Sequence, residues 1–140
     1  MVADEDDCLL CAKQRGEEPL VGPVILRDNL VVVTHRATGS LGYVFIETTR
    51  HVPYVHQLTD AEAAAIGRIR SKVAAALAAE LPVEYVFTMV VGTGVPHFHE
   101  HVFVRHIGTP PDLPWGEPWA GAPTGDIAAL VDRLRARIIG

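Results

Sequence analysis

The residues Pro96-His97-Phe98-His99-Glu100-His101-Val102-Phe103 place three histidines at alternate positions. Side chains alternate between the two faces of a β-strand, which rises about 3.3 Å per residue. If this segment is a strand, we expect His97, His99 and His101 to lie on one face, about 6.6 Å apart along the chain. Clustered imidazoles are unfavourable when more than one is protonated, and histidine has no special preference for strands. The alternation therefore indicates a site for metal binding or catalysis.

Imidazole chemistry offers two roles for such a row. A neutral ring is a nucleophile toward phosphorus or carbonyl centres, and a protonated ring is a proton donor. Neighbouring histidines can divide these roles if their environments separate their pKa values. The pattern alone does not decide which ring takes which role. A catalytic ion held by all three rings is the least favoured interpretation, because nitrogen ligands lie only about 2.0 to 2.1 Å from zinc.

The chain has two cysteines, both in Cys8-Leu9-Leu10-Cys11. A pair with this spacing supplies half of a tetrahedral zinc site, and histidines elsewhere could supply the other half. A thioredoxin-like redox pair would instead follow a strand within a βαβ unit, and no strand pattern precedes Cys8. Zinc binding is the favoured interpretation, while redox thiols and two unligated cysteines stay open.

Short β-branched runs and two helical patterns surround these motifs. The sequence predicts strands at residues 24–27, 30–35, 43–47, 83–91 and 98–106, and helices at 61–81 and 126–139. Thr59 and Glu62 have the spacing of a capping box before the first helix, and Pro82 ends it. Mostly sequential antiparallel strands with segregated helices favour an α+β fold over a parallel, doubly wound sheet.

Composition limits the class of protein. The chain has 140 residues, 49% of them hydrophobic, and a formal net charge of -5. This length suits one core, so we expect a single domain over residues 1–140. Because no Lys/Arg cluster is present, we expect no nucleic-acid polymer as a partner. The acidic N-terminus and the lack of a long apolar run predict a cytoplasmic protein with no membrane association, where a Cys8–Cys11 disulfide is not expected.

Together these motifs resemble the histidine-triad (HIT) superfamily. The segment His97-x-His99-x-His101-Val102-Phe103 is similar to the family signature His-φ-His-φ-His-φ-φ, where φ is apolar. The zinc-containing bacterial branch has the same order of further motifs, here Cys8-x-x-Cys11, Tyr43-Val-Phe-Ile, Arg50-His51-Val-Pro and the helix at 61–81. The resemblance covers roughly residues 8–107, and residues 108–140 form a proline-rich tail and a C-terminal helix outside it. It implies a five-stranded antiparallel sheet with the main helix packed on it, commonly in a homodimer.

The resemblance also implies the chemistry. Such a protein is a nucleotidyl hydrolase or transferase that acts on a nucleoside phosphoramidate or a dinucleoside polyphosphate. His99 would attack the α-phosphorus to form a covalent nucleotidyl-histidine, and His101 would contact the phosphate or assist the leaving group. His97, the remaining member of the catalytic triad, would also bind a structural zinc ion with Cys8, Cys11 and His51. The expected partner is a purine nucleotide or another small phosphate ester.

Several positions depart from the family pattern. Glu100 stands where an apolar residue is expected, so the back of the strand is partly polar or faces an interface. The loop at 92–96 is short, which leaves Thr93 and Gly94 as predicted substrate-binding residues. Arg105 is a third such residue if it reaches a phosphate, and an exposed strand end is the alternative. The competing hypothesis for the whole chain is a zinc-stabilised module that binds nucleotides or proteins with little or no turnover.

Four further aromatic side chains each have a structural and a functional interpretation. His35 and His56 are predicted to be surface histidines rather than ligands. Trp115 and Trp119 in the tail could stack on a nucleobase, since aromatic faces suit that contact, or could anchor the tail to the core.

Overall fold

The computed structural model describes residues 5–140. Five antiparallel strands form one sheet in the order β1-β2-β3-β5-β4. The strands are β1 Val24–Arg27, β2 Val31–His35, β3 Tyr43–Thr48, β4 Val83–Met89 and β5 His99–His106. The helices are α1 Leu9–Gln14, α2 Asp60–Glu80 and α3 Ile127–Ile139, with a short 3-10 helix at Val55–Gln57. The predicted α+β class and five-stranded antiparallel sheet are confirmed.

Helix α2 packs on one face of the sheet. Its buried stripe includes Ile66, Ile69, Val73 and Leu77. The Thr59 hydroxyl accepts the Glu62 amide and the Glu62 carboxylate accepts the Thr59 amide, so the predicted capping box is formed. Helix α3 contacts both α2 and β1. None of the helices within residues 5–140 has the length and hydropathy of a membrane-spanning segment.

The other face of the sheet carries His99 and His101. In the pairing of β3 with β5, Glu47 lies opposite His99, Phe45 opposite His101 and Tyr43 opposite Phe103. Residues directly opposite each other share a face. We call this face, defined by Tyr43, Phe45, Glu47, His99, His101 and Phe103, the open face. The residues between them, such as Val44, Ile46 and Val102, belong to the core under α2.

The tail after β5 folds back across one end of the open face. The Arg105 guanidinium donates to the Pro110 carbonyl at 3.2 Å, and the Leu41 amide donates to the Pro123 carbonyl at 2.9 Å. Between these ties, Trp115 stacks on Phe87 with ring centroids 5.2 Å apart. The tail therefore covers the Phe103 end of the sheet and leaves the His99 end uncovered by it.

His35 is fully buried, so its prediction as a surface histidine is wrong. Its Nδ1–H donates to the Arg36 carbonyl at 2.7 Å, and its Nε2 accepts the Gly42 amide at 2.9 Å. These two bonds require a neutral ring, and burial lowers the pKa of His35. The imidazole thus holds the turn between β2 and β3. His56 is exposed as predicted.

Candidate active site and metal cluster

His99 begins β5 and lies half-buried on the open face. Its Nδ1–H donates to the carbonyl oxygen of His97 at 2.8 Å. A carbonyl can only accept, so this contact places the ring proton on Nδ1. In the neutral ring, Nε2 then keeps its lone pair. The backbone of the preceding turn therefore selects the tautomer that a nucleophilic imidazole needs.

His101 is the next residue on the same face, with its ring centroid 5.2 Å from that of His99. Its Nδ1 shares a hydrogen bond of 2.8 Å with the Tyr43 hydroxyl. Burial, and then the neighbouring His99 and Lys13, lower the pKa of His101. His101 is consequently neutral near pH 7.

His97, the first triad histidine, lies just outside β5. β5 starts at His99, and His97 lies in the turn before it with its side chain fully buried. The His97 Nε2–H donates to the Thr48 carbonyl at 2.7 Å. Its Nδ1 lies 3.4 Å from the sulfur atoms of both Cys8 and Cys11. The two ring nitrogens of the first triad histidine are therefore directed to the cysteines and to the Thr48 carbonyl.

The four predicted zinc ligands come together. The ligand atoms of Cys8, Cys11, His51 and His97 all lie within 4.8 Å of one another. Cys11 Sγ is 3.4 Å from the Nδ1 atom of His51 as well as from that of His97. Tetrahedral zinc with bonds of about 2.3 Å to sulfur and about 2.0 to 2.1 Å to nitrogen would separate S and N by about 3.6 Å. The spacing fits a closed tetrahedral site.

The surroundings of the cluster also fit a cation. Cys8 caps the N-terminus of α1 and its sulfur accepts the Cys11 amide at 3.3 Å. Burial, followed by contact with Cys8, raises the pKa of the Cys11 thiol to about 12. Two adjacent thiolates therefore need a bound positive charge at neutral pH. The Thr48 carbonyl orients His97 as outer partners orient metal-binding histidines in general.

A buried ion pair that no sequence motif predicted lies next to His99. Lys13, from α1, donates to the Glu47 carboxylate at 2.5 Å and to the Thr34 hydroxyl at 2.9 Å. Its ammonium also lies 4.6 Å from the centre of the Phe45 ring. Glu47 is opposite His99 in the sheet. Helix α1 has six residues, too few to show a helical period, so no signal in the sequence placed Lys13 on this face.

Glu100 points away from the open face, between His99 and His101. Its buried carboxylate accepts two hydrogen bonds from the Arg70 guanidinium of α2, at 2.5 and 2.7 Å. The polar residue at this apolar position of the signature thus pairs with the helix behind the sheet, and the expectation of a partly polar strand back is confirmed.

The three predicted substrate-binding residues lie in two places. Thr93 and Gly94 are exposed in the loop before His97. Arg105 lies six residues beyond His99 on β5, about 20 Å along the strand. Its guanidinium donates to Glu84 at 2.5 Å, and it lines a cavity under the tail. The structure brings the loop residues near the start of β5, and Arg105 to its far end.

Known structures share this architecture. A zinc-bound histidine-triad family protein from Mycobacterium smegmatis matches with a TM-score of 0.73 and 17% identity, over 97% of this chain and 96% of that chain. A HIT-like protein from Bartonella henselae, involved in cell-cycle regulation and solved with an unknown ligand, matches with a TM-score of 0.73 and 15% identity over 98% and 99% of the two chains. A hypothetical histidine-triad nucleotide-binding protein from Sulfolobus tokodaii matches with a TM-score of 0.71 and 15% identity over 94% and 92%.

No protein-family model matches the sequence, and no curated protein matches it significantly. The likeness therefore lies in the backbone arrangement, which these structures retain at low identity. The chain has the fold of the histidine-triad proteins, as its motifs predict.

Proposed function

We propose that the protein is a nucleotidyl hydrolase or transferase in which His99 attacks the α-phosphorus of a nucleoside phosphoramidate or a dinucleoside polyphosphate. One observation carries the proposal: the His97 carbonyl holds the Nδ1 proton of His99 and leaves the Nε2 lone pair on the open face. The name of the Sulfolobus protein, which shares this fold, refers to nucleotide binding and supports the substrate class.

The reaction proceeds in two displacements. In the first, Nε2 of His99 forms a bond to phosphorus while the P–N or P–O bond to the leaving group breaks, and the leaving group takes the electron pair and a proton from water. In the second, water or another acceptor attacks phosphorus, the electron pair of the Nε2–P bond returns to His99, and the attacking group gives its proton to the hydroxide left by the first step. Splitting one difficult displacement into two easier ones is the advantage of covalent catalysis.

His101 has a supporting role in this scheme. Because the ring is neutral, a Tyr43 hydroxyl that donates to Nδ1 leaves the proton on Nε2. That N–H is then available to a phosphoryl oxygen next to His99. Thr93, Gly94 and the backbone amides of their loop supply further donors to the phosphate as charge develops on its oxygens.

The Cys2His2 cluster binds zinc in this proposal and has a structural role. Four protein ligands close the tetrahedron, and an ion bound there holds α1, the segment after β3 and the turn before β5 together. The His97 carbonyl that orients His99 belongs to one of the ligands. A reducing compartment such as the cytoplasm keeps both cysteines available as ligands. Metal analysis of Cys8→Ser should show zinc lost, and retained zinc would contradict the assignment.

A homodimer is proposed with β4 at its interface. β4 is an edge strand, and Tyr85, Met89 and Val91 on or just after it are exposed. Exposed apolar edge strands favour association with another chain. Sedimentation equilibrium should give twice the mass of the chain, and a monomer at all concentrations would exclude this assembly.

The proposed reaction is tested with adenosine phosphoramidate. AMP release by the wild type should be lost in His99→Ala and retained in His56→Ala, a matched control because His56 is exposed and stacks on Tyr54. Nucleotidylated protein should be trapped by alkaline quench in the wild type only. Equal rates in wild type and His99→Ala would refute the proposal, and nucleotide binding without turnover in the wild type would favour the non-enzymatic module.

A further inference from the structure

Lys13 and Glu47 form a buried ion pair on the open face, and the proposed reaction does not use it. The Lys13 side chain is 6% exposed and that of Glu47 is 0% exposed. Taking two charges out of water is costly, and an apolar pair of similar size is often at least as stable. The pair is therefore weak evidence for stability, and its place beside His99 points to a role in the site.

The sheet register places the two charges beside different histidines. Glu47 lies directly opposite His99. Thr34 and His101 share the next row across the sheet, one on each side of β3. The Lys13 ammonium donates to the Thr34 hydroxyl at 2.9 Å as well as to the Glu47 carboxylate. The ammonium is therefore displaced from the row of His99 toward the row of His101.

The carboxylate of the pair is directed the other way, toward the metal cluster. One Glu47 oxygen accepts a hydrogen bond from the Gln14 amide at 3.2 Å, and that amide also donates to the Thr48 carbonyl at 2.9 Å. The same carbonyl accepts a hydrogen bond from the His97 ring. The pair therefore forms a dipole with its negative end near the cluster and its positive end near His101.

The ammonium is close enough to His101 to act on a phosphate bound there. The Phe45 ring centroid is 4.6 Å from the ammonium and 5.3 Å from the His101 ring centroid, so the ammonium lies within about 10 Å of that ring. Burial, and then His99 and Lys13, lower the pKa of His101, as a positive charge at this distance should. At about 10 Å and an effective dielectric constant of about 20 to 40, one unit charge changes the affinity for another by about 4- to 15-fold.

A second cation on the same side of the sheet is less well placed. The Arg36 guanidinium lies 4.4 Å from the centroid of the Tyr43 ring, but Arg36 is partly exposed at the turn after β2. Salt and water screen an exposed charge, whereas they screen a buried charge much less. The charge of Lys13 should therefore reach a phosphate beside His101 with less loss than that of Arg36.

We propose that the Lys13 ammonium, held in place by Glu47 and Thr34, raises the affinity of the site for the phosphate of the substrate. It acts through space and makes no contact with the phosphate. A charge fixed in advance stabilises negative charge without rearranging during the reaction. The inference rests on the proposed function for the position of the phosphate at His99 and His101. Equilibrium binding of a nucleotide requires no turnover, so the two proposals can fail separately.

The test compares the affinities of AMP and adenosine, which differ by the phosphate, in calorimetric titrations of the zinc-loaded protein. Lys13→Met should weaken AMP binding by about 4- to 15-fold, because the attraction is lost. Glu47→Gln removes the opposing charge and keeps the length of the side chain, so it should tighten AMP binding. Adenosine should bind equally to both variants and the wild type. A purely structural role would weaken AMP binding in both variants, so opposite effects identify the charge.

The double variant Lys13→Met/Glu47→Gln should bind AMP with an affinity between those of the single variants. If the unpaired carboxylate prevents Lys13→Met from folding, comparison of the double variant with Glu47→Gln measures the same 4- to 15-fold loss, roughly, for the Lys13 charge. The matched control is Lys72→Met, which removes the same charge from an exposed position of α2, on the other side of the sheet. It should bind AMP like the wild type.

Three results would overturn the inference: no loss of AMP affinity when Lys13 is replaced, weaker AMP binding in Glu47→Gln, or an equal loss for adenosine. No binding of AMP by the wild type would overturn it together with the proposed function. AMP binding that depends on Lys13 in a protein that forms no His99 adduct would instead overturn the proposed reaction alone.

Discussion

Removing Arg70 should destabilise the protein far more than removing its partner Glu100. The Glu100 side chain is 1% exposed, while that of Arg70 is 42% exposed. Arg70→Ala leaves a buried carboxylate without its two charge-assisted hydrogen bonds. Glu100→Val instead removes the buried charge, restores the apolar residue of the signature and lets Arg70 extend into water.

The exposure of Arg70 determines how much stability Arg70→Ala should cost. Removing one partner of a fully buried ion pair costs about 3 to 5 kcal/mol, because the remaining charge is uncompensated. Water reaches this pair from the Arg70 side, so we reduce the expected cost of Arg70→Ala to about 1.5 to 3 kcal/mol. Glu100→Val should cost less than about 1 kcal/mol, since apolar replacement of a buried ion pair is often neutral. The double variant Arg70→Ala/Glu100→Val should have the same free energy of unfolding as Glu100→Val.

Urea unfolding of the zinc-loaded protein at pH 7 measures these differences, with the slope m checked for constancy across variants. Because Glu100 faces α2 while His99 and His101 face the opposite side, Glu100→Val should not change the rate of the proposed phosphoramidate hydrolysis by the folded protein. If Arg70→Ala is no less stable than Glu100→Val, or if the double variant is as unstable as Arg70→Ala, the asymmetry argued from burial is refuted.

Three further predictions concern the metal, the helix cap and pH. Elemental analysis should find zinc lost from His97→Ala and retained in His99→Ala, although both should reduce turnover by about 10³-fold or more, and equal zinc in the two would contradict the separation of roles. Thr59→Ala should lower the free energy of unfolding by about 1 kcal/mol through loss of the capping box, and an unchanged urea midpoint would argue against it. The neutral His35 ring should contribute stability above its unfolded pKa of about 6.5 that is lost as pH falls toward its lower folded pKa. NMR titration of His35 should show that lower pKa, and a value at or above 6.5 would show that Nε2 of His35 does not accept the Gly42 amide.

Local sequence signals predicted most of the fold. The apolar residues of α2 have a helical period, a capping box marks the start of the helix and a proline follows its end. Both the helix and its buried face could therefore be predicted. The strands could also be predicted from local pattern, because β-branched runs are separated by turn residues such as Asp28-Asn29. The antiparallel order followed because sequential strands most simply pair in that way.

The zinc ligands, His97 among them, were predicted by resemblance, whereas the start of β5 at His99 was not predicted. Strict alternation assumes that the strand continues through residue 97. In the structure the Phe98 amide donates to the Val52 carbonyl at 2.6 Å, and pairing with β3 begins one residue later at His99. A strand boundary depends on which carbonyl lies opposite, and that information comes from the segment after β3, about 45 residues earlier in the chain.

The end of β3 explains how one short strand organises both the candidate catalytic site and the metal cluster. The Glu47 carboxylate lies on the open face and accepts a hydrogen bond from Lys13. The backbone carbonyl of Thr48 accepts a hydrogen bond from the His97 ring. Gln14 donates to both, at 3.2 Å to the Glu47 carboxylate and at 2.9 Å to the Thr48 carbonyl. Two consecutive residues therefore fix α1 and the turn that orients His99. Because these contacts join segments far apart in sequence through side chains with no periodic pattern, only the folded chain reveals them, and a substitution at Glu47 should disturb His99 without touching it.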